Sequence, residues 1–397
     1  MSTCVRSYSK INLGLAIGPV RADGFHGLTT LYQTLGLHDL VTVSARRAES
    51  TAISLTTNHP FVPRDARNTA WRMVERCLER LGVKAEVEID IDKRLPVQGG
   101  LGAGSANAVA ALLGLERELG VALPGVERLR LAAEIGSDVP LFLLGGAVLG
   151  IGRGEQVVPM PDLPKTWCVV AVPQVGVSTP AAFKAWDALV AASEPVQEQT
   201  TTRARTNAGG LPLRQAQGQD DNNMEAARLT SLPPVDKLQE LSLAYSSLSA
   251  KTGDRKPGTS GILRDSSSEK KRNSLDEPQE YALNDLAENT LLALVRTGIG
   301  SDGSSGLHND FEDVVFPQYP SLRITKRQLM GSGSDSSDVD RSAIYAALSG
   351  SGSALFGLYR SEAEAKAAQQ RVQSTGVQAL LTETLPRAEY WERMFAE

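Results

Sequence analysis

Between Pro96 and Asn107 the chain runs Pro96-Val97-Gln98-Gly99-Gly100-Leu101-Gly102-Ala103-Gly104-Ser105-Ala106-Asn107, directly after a strand pattern and directly before a helical one. Several glycines let a backbone turn its N–H groups toward an anion. A helix N-terminus behind them adds partial positive charge, so phosphate is the natural ligand. The run is not a Walker A loop: Gly99 and Gly104 have the spacing, but Ser105-Ala106 stands where Lys-Ser/Thr is required. It also misses the G-x-G-x-x-G pattern, because Ser105 follows Gly100 and Gly102 where the third glycine belongs. Taken alone, the run reads as well as a glycine turn for close helix packing. A second run, Leu348-Ser349-Gly350-Ser351-Gly352-Ser353, leads into the apolar strand Ala354 to Tyr359. Its amides and hydroxyls suit a phosphate, yet by itself it reads more simply as a tight loop between a helix and a strand.

Three further places carry polar groups that chemistry could use. In Ser9-Lys10-Ile11-Asn12, Lys10 and Asn12 fall on one face of a predicted strand, because side chains two apart point the same way. A lysine facing inward on an apolar strand needs an anion or a carboxylate, while a lysine on an edge strand needs only water. Arg21-Ala-Asp23-Gly24-Phe25-His26 is a turn followed by an aromatic ring and a histidine. Gly136-Ser137-Asp138-Val139-Pro140 puts an aspartate at a helix exit, where it serves either as a turn residue or as a base paired with a lysine.

The elements that must position these groups follow from periodicity. Lys10 to Ile17, Leu40 to Ser44 and Glu86 to Ile91 read as strands, and Thr69 to Leu81 as a helix. From Gly104 to Leu119 the sequence is apolar nearly all round, which predicts a buried helix, and Val126 to Ile135 predicts another, stopped by Gly136. The pattern is α+β of mixed order, without the regular alternation of a doubly wound sheet. Between about Ser193 and Gln279 composition turns to Ser, Thr, Gln, Asn, Asp, Lys and Gly, which predicts a disordered insertion, with helical spacing only over Val235 to Leu248. The patch Gly331 to Asp338 has the same character. Periodicity returns at Phe183 to Val190, Leu283 to Val295, Arg341 to Leu348 and Ala363 to Val372, so these are insertions within a domain.

Composition narrows the class. A chain of 397 residues with 41% hydrophobic and 22% charged residues buries a real core, most simply as two domains. A net charge of −5 with no basic stripe argues against nucleic acid as a partner. No apolar run is long enough to span a membrane, and no secretory signal is visible. Cys4, Cys77 and Cys168 are too few and too scattered for a disulfide framework or a zinc site, so a cytoplasmic enzyme acting on small molecules is expected.

In this order, the Lys10 strand, the Pro96 to Asn107 loop, the Gly136 to Pro140 motif and the Ser349 to Ser353 loop together resemble the GHMP kinases. Within that superfamily the likeness is greatest to the branch that phosphorylates the 2-hydroxyl of CDP-methylerythritol in the non-mevalonate isoprenoid pathway. Ser9 to Leu13, Arg21 to His26, Ile91 to Pro96, Gly136 to Pro140 and Asn309-Asp310-Phe311-Glu312 carry it. The resemblance covers roughly residues 5 to 190 and 282 to 385. It implies a two-domain α+β fold with ATP and substrate in the cleft between domains. The first, residues 1 to 160, is an ATP-binding domain of the ribosomal protein S5 domain 2 type. The second, residues 161 to 397, is the GHMP C-terminal α/β domain, interrupted at about 193 to 279.

Carried over by position, Asp138 is the base that takes the hydroxyl proton and Lys10 its partner. Pro96, Gly99, Gly100, Leu101, Gly102, Ala103, Gly104, Ser105 and Asn107 cradle the ATP phosphates, with Asn68 and Lys93 beside the nucleotide. Asn12, Phe25, His26 and Phe183 grip the cytidine diphosphate end, the two phenylalanines sandwiching the base. Magnesium is expected with ATP, its protein ligands unassigned, and monomer and homodimer both stay open. Ala106, Gln98 and Phe25 depart from the family's usual serine, Gly/Ala and tyrosine, while the Lys10 and Asp138 pair is kept. The rival readings are a GHMP kinase for homoserine, mevalonate or a sugar, and a non-catalytic ATP-binding relative.

Overall fold

The computed structural model describes residues 2–97, 99–193, 307–331 and 343–396. All of the expected insertion at 193 to 279 beyond Ser193, the helical spacing at Val235 to Leu248, the periodic stretch Leu283 to Val295, Gln98 and the patch after Gly331 lie outside the described residues.

Two strands dominate the first half. β1 (Thr3–Val20) and β2 (His26–Arg47) form a long antiparallel hairpin, both well beyond the short strands expected from their apolar runs. Their buried middles carry polar residues such as Lys10, Asn12, Thr30 and Gln33, which break the alternation that marks a strand in sequence. Register shifts between Tyr8 and Lys10 and between Asn12 and Gly14 interrupt the ladder, a device that re-aims side chains next to functional sites. β3 (Ala52–Thr57) runs parallel to β4 (Ala85–Asp92), and β4 pairs with the second half of β2. β5 (Ala147–Ile151) pairs with the first half of β2 and with β6 (Gln156–Pro159).

Three helices cover this sheet. α1 (Thr69–Leu81) buries Ala70, Met73, Val74, Cys77 and Leu78, the i, i+3, i+4 stripe of an amphipathic helix. α2 (Ala103–Leu119) is buried without interruption from Ala106 to Glu116, as its all-round apolar sequence predicts. α3 (Gly125–Ile135) delivers the chain to Gly136 and Asp138.

A four-stranded antiparallel sheet forms the second layer. β7 (Trp167–Val172) is followed by α4 (Thr179–Ser193), then by the helices Phe311–Gln318 and Pro320–Met330. β8 (Tyr345–Leu348), β9 (Leu355–Tyr359) and β10 (Gln378–Glu383) complete it in the order β10-β7-β9-β8. The loop Ser349 to Ser353 therefore joins two paired strands, not a helix and a strand as expected. Tyr345 to Leu348 is buried throughout, and periodicity cannot tell such a short apolar run from a helix; its ladder with β9 decides. Val169, Ala171, Trp186, Phe311, Leu322 and Leu355 share the core of this layer. The chain then returns to the first sheet, where β11 (Phe395–Ala396) pairs with β1 and the Tyr390 hydroxyl donates to the Phe142 carbonyl at 2.6 Å.

Among the described residues no helix is long and apolar enough to cross a membrane. Cys4, Cys77 and Cys168 are free thiols, and burial pushes Cys77 up to about 12 and Cys168 further still.

Candidate active site

Lys10 lies on the central hairpin with its side chain 2% exposed, and its Nζ is 3.2 Å from Asp138 Oδ2. The same ammonium donates to Asn12 Oδ1 at 2.7 Å, and Asn12 Nδ2 donates to Thr30 Oγ1 at 2.7 Å. Of the two readings the strand left open, the inward lysine holds. Asp138 sits in the turn after α3, where Val139 N–H bonds back to the Gly136 carbonyl at 3.1 Å, and its carboxylate is 35% exposed toward the cavity. Oδ1 of that carboxylate accepts the Tyr32 hydroxyl at 2.9 Å. Burial, and after it the Asp138 charge, hold the Tyr32 phenol well above its ordinary range. Tyr32 did not stand out in sequence, since an aromatic on a half-apolar strand is ordinary core; only the register that sets it opposite Asn12 reveals it.

The two glycine runs come together. Gly99 bridges to Ser353, Ala354 N–H donates to the Gly99 carbonyl at 3.1 Å, and Ser349 Oγ donates to the Gly100 carbonyl at 2.9 Å. A Cβ at Gly100 would lie 2.0 Å from the Ser349 carbonyl oxygen, so this contact admits only glycine. At Gly102, with φ +70°, a Cβ would meet Phe142 Cζ at 2.8 Å and Lys10 Cγ at 3.0 Å, so here too glycine lets the loop close over the lysine. Carbonyls of Gly99, Gly100 and Leu101 are taken by other segments, the last by Lys10 N–H, while that of Gly102 accepts Ala106 N–H as the first bond of α2. The amides opening α2, at Ala103, Gly104 and Ser105, have no intrahelical acceptor, as at every helix start.

The second loop is anchored from below by Asn309-Asp310-Phe311-Glu312. Asn309 Nδ2 donates to the Leu348 and Gly350 carbonyls, both at 2.8 Å, and Glu312 Oε1 accepts Leu348 N–H at 2.8 Å. Asp310 Oδ2 accepts Ile17 N–H at 2.8 Å, tying the same segment to β1. This late motif acts as scaffold for the loop.

A cavity of about 1130 Å³ is lined by Lys10, Asn12, Asp138, Gly99, Gly100 and Gly350. Phe25, His26, Arg153 and Phe183 line it as well. His26 is held by the Gly18 carbonyl at 2.9 Å and by Asp187 at 2.9 Å, and stacks on Phe183 with ring centroids 5.2 Å apart and planes 6° from parallel. Phe25 is 56% exposed, with the Arg153 guanidinium 5.0 Å from its ring centroid. One face of Phe183 is thus covered by His26, and Phe25 carries a cation.

Other expected nucleotide residues serve the framework and are not among those lining the cavity. Lys93 Nζ is 2.6 Å from Asp39 Oδ2, both side chains nearly sealed from water at 3% and 0% exposure. Burial lowers the Lys93 ammonium from its ordinary range, with Asp39 pulling the other way. Asp39 Oδ1 also accepts Arg94 N–H at 2.8 Å and Leu95 N–H at 2.7 Å, fixing the approach to Pro96 and the loop. Asn68 caps α1 through Ala70 N–H at 2.9 Å, and Asn107 accepts Ser7 Oγ at 2.6 Å. Among the described residues no group of three or more His, Cys, Asp or Glu side chains converges as a metal site would.

Comparison with known proteins places this arrangement. The model of the GHMP kinases N terminal domain matches residues 68–146, and that of the GHMP kinases C terminal matches residues 286–378. The chain is 38% identical over 240 residues to 4-diphosphocytidyl-2-C-methyl-D-erythritol kinase from a Nocardioides species, covering 59% of this chain and 80% of that one. It is 36% identical over 267 residues to the protein of that name from Gloeobacter violaceus, covering 66% and 85% respectively. The match to the Rhodococcus jostii protein, at 41% identity, spans 61% of that relative. In fold, a crystal structure of 4-(cytidine 5'-diphospho)-2C-methyl-D-erythritol kinase superposes with a TM-score of 0.57 at 21% identity, covering 97% of this chain and 100% of that one. Homoserine kinase from Cytophaga hutchinsonii follows at 0.55 and 17%, covering 97% and 95%. Both matched models are those of the GHMP kinases, small-molecule kinases that use ATP. The chain belongs to the 4-diphosphocytidyl-2-C-methyl-D-erythritol kinase family.

Proposed function

We propose that the protein transfers the γ-phosphoryl group of ATP to the 2-hydroxyl of 4-diphosphocytidyl-2-C-methyl-D-erythritol, a step of the non-mevalonate isoprenoid pathway. One observation carries the reading: the Lys10 and Asp138 pair lines one cavity together with Gly99, Gly100 and Gly350 and with Phe25, His26 and Phe183. Phosphoryl transfer asks mostly for positioning and charge stabilisation, with one group to receive a proton.

In this reading the amides at the start of α2, with the helix dipole behind them, hold the ATP phosphates. The Ser349 to Ser353 loop lines the same cavity. Phe183 receives the cytosine by stacking, with His26, whose ring nitrogens are held by the Gly18 carbonyl and Asp187, lying parallel to it. Asp138 takes the hydroxyl proton as the new O–P bond forms and the bond to the ADP leaving oxygen breaks. Lys10 holds that carboxylate in place and draws the acceptor oxygen toward it. Magnesium, carried in with ATP, supplies charge neutralisation on the phosphates. A cytosolic setting is consistent with three free cysteines.

The test offers purified protein and Mg-ATP with 4-diphosphocytidyl-2-C-methyl-D-erythritol, homoserine and mevalonate in parallel, and measures ADP release. Selective turnover of the cytidylyl substrate is expected. Turnover of another acceptor alone would keep the catalytic pair and discard the roles given to His26 and Phe183.

A further inference from the structure

We propose that Tyr32 is a positioning residue for phosphoryl transfer, its phenol fixing the Asp138 carboxylate so that a proton-accepting lone pair faces the acceptor hydroxyl. The inference rests on the kinase reading above and adds a residue to it.

An aspartate at the end of a turn has a broad terminal torsion and, at 35% exposure, little packing to hold its plane. Here each carboxylate oxygen has a separate donor: Lys10 Nζ lies 3.2 Å from Oδ2, and the Tyr32 hydroxyl 2.9 Å from Oδ1. Two donors on opposite oxygens pin the plane of the group where one would leave it free to turn. The direction of the second bond is fixed by chemistry. An ionised carboxylate has only acceptors, so the phenol must donate. Tyr32 is 2% exposed, which leaves that hydroxyl no competing bulk water.

The support is rigid. Tyr32 lies on β2, opposite Asn12 on one side and Val148 of β5 on the other, so a central strand sets the height of the phenol. Its ring centroid is 5.4 Å from Lys10 Nζ, so the one side chain touches both members of the pair. The charged groups that face this cluster are Lys10 from β1, Asp138 from the turn after α3, and Arg153 and Glu155 from the turn between β5 and β6.

Tyr32→Phe removes the donor and keeps the ring that packs in the core. We expect kcat to fall about tenfold, as for a lost hydrogen bond to a charged group, with KM for ATP and for the acceptor within about twofold. The acidic limb of the kcat–pH profile moves upward, because a carboxylate that loses a donor holds a proton more readily. A purely structural tyrosine would lower thermal stability without moving that limb. If Tyr32→Phe does not fold, the same site carrying 3-fluorotyrosine keeps the shape and makes the phenol a stronger donor, and the limb then moves downward. An unchanged kcat and an unmoved limb in the folded variant overturn the proposal. The 19F resonance of that fluorotyrosine, read without substrate, shifts on Asp138→Ala if the bond exists; an unmoved resonance also overturns it. Wild-type protein inactive on every acceptor tested is a different outcome, the failure of the kinase reading, which removes the positioning role while the 19F measurement still reports the contact.

Discussion

Asp138→Asn tests the mechanism most directly, because the substitution changes chemistry with almost no change in shape. The amide oxygen of the new side chain can still accept the Tyr32 hydroxyl, and Lys10 keeps its 2.7 Å bond to Asn12 Oδ1, so neither buried donor is stranded. What disappears is the group that receives the substrate proton. A positioned general base contributes about 10²- to 10⁴-fold to a rate, which is about 3 to 5 kcal/mol of barrier. We expect kcat to fall within that range while KM for ATP stays within about threefold, since the amides at the start of α2 are untouched. The assay is ADP release at saturating acceptor and Mg-ATP, checked by thermal unfolding to show that the variant remains folded. Turnover within about fivefold of the wild type would remove Asp138 from the proton transfer. It would leave the Lys10 pair as a structural contact.

Three further perturbations probe the supports of the site. Asp39→Asn strands Lys93 in a buried position, and breaking such a pair costs about 3–5 kcal/mol, read as a lower urea midpoint. Burial already lowers Lys93, so the unfolded chain binds that proton more strongly than the folded one, and stability rises as pH climbs through the window between the lowered value and the ordinary one. The variant should therefore recover part of its loss between pH 7 and about pH 9.5, a loss equal at both pH values counting against the buried charge. Asn309→Ala leaves the Leu348 and Gly350 carbonyls without their donor, at about 1–3 kcal/mol per buried group, and should raise KM for ATP more than KM for the acceptor. Phe183→Ala removes the ring stacked on His26, and a stacking contribution of about 0.5–1.5 kcal/mol predicts a rise of about two- to tenfold in KM for the cytidylyl substrate, with KM for ATP unmoved.

Much of the framework was legible because local signals were strong and consistent. The helix expected from Thr69 to Leu81 forms over those residues, since Asn68 supplies a cap and Gly82 a left-handed stop around a clear apolar stripe. The Ala/Leu-rich stretch before Leu119 is buried as its composition demands. The central hairpin was harder to read, because strands that carry Lys10 and Asn12, or Thr30 and Gln33, in their buried middles have the alternation of neither core nor surface. Tyr32 shows the limit most sharply. Its role depends on a register set by two irregularities in the β1–β2 ladder and on a turn more than a hundred positions away, neither of which leaves a local trace. Lys93 and Asn68 illustrate the converse: polar residues in the right part of the chain whose side chains are already engaged by Asp39 and by the helix start.

The bond between Ser349 and Gly100 joins segments 249 positions apart. Loop-closure entropy must be overcome before such a contact yields any stabilisation, and contacts of long sequence separation form late in folding. The helices α1 and α2 need only neighbouring residues to begin. Refolding from denaturant should then recover helical circular dichroism first and turnover last, so that the appearance of ADP times the arrival of the second loop on the first.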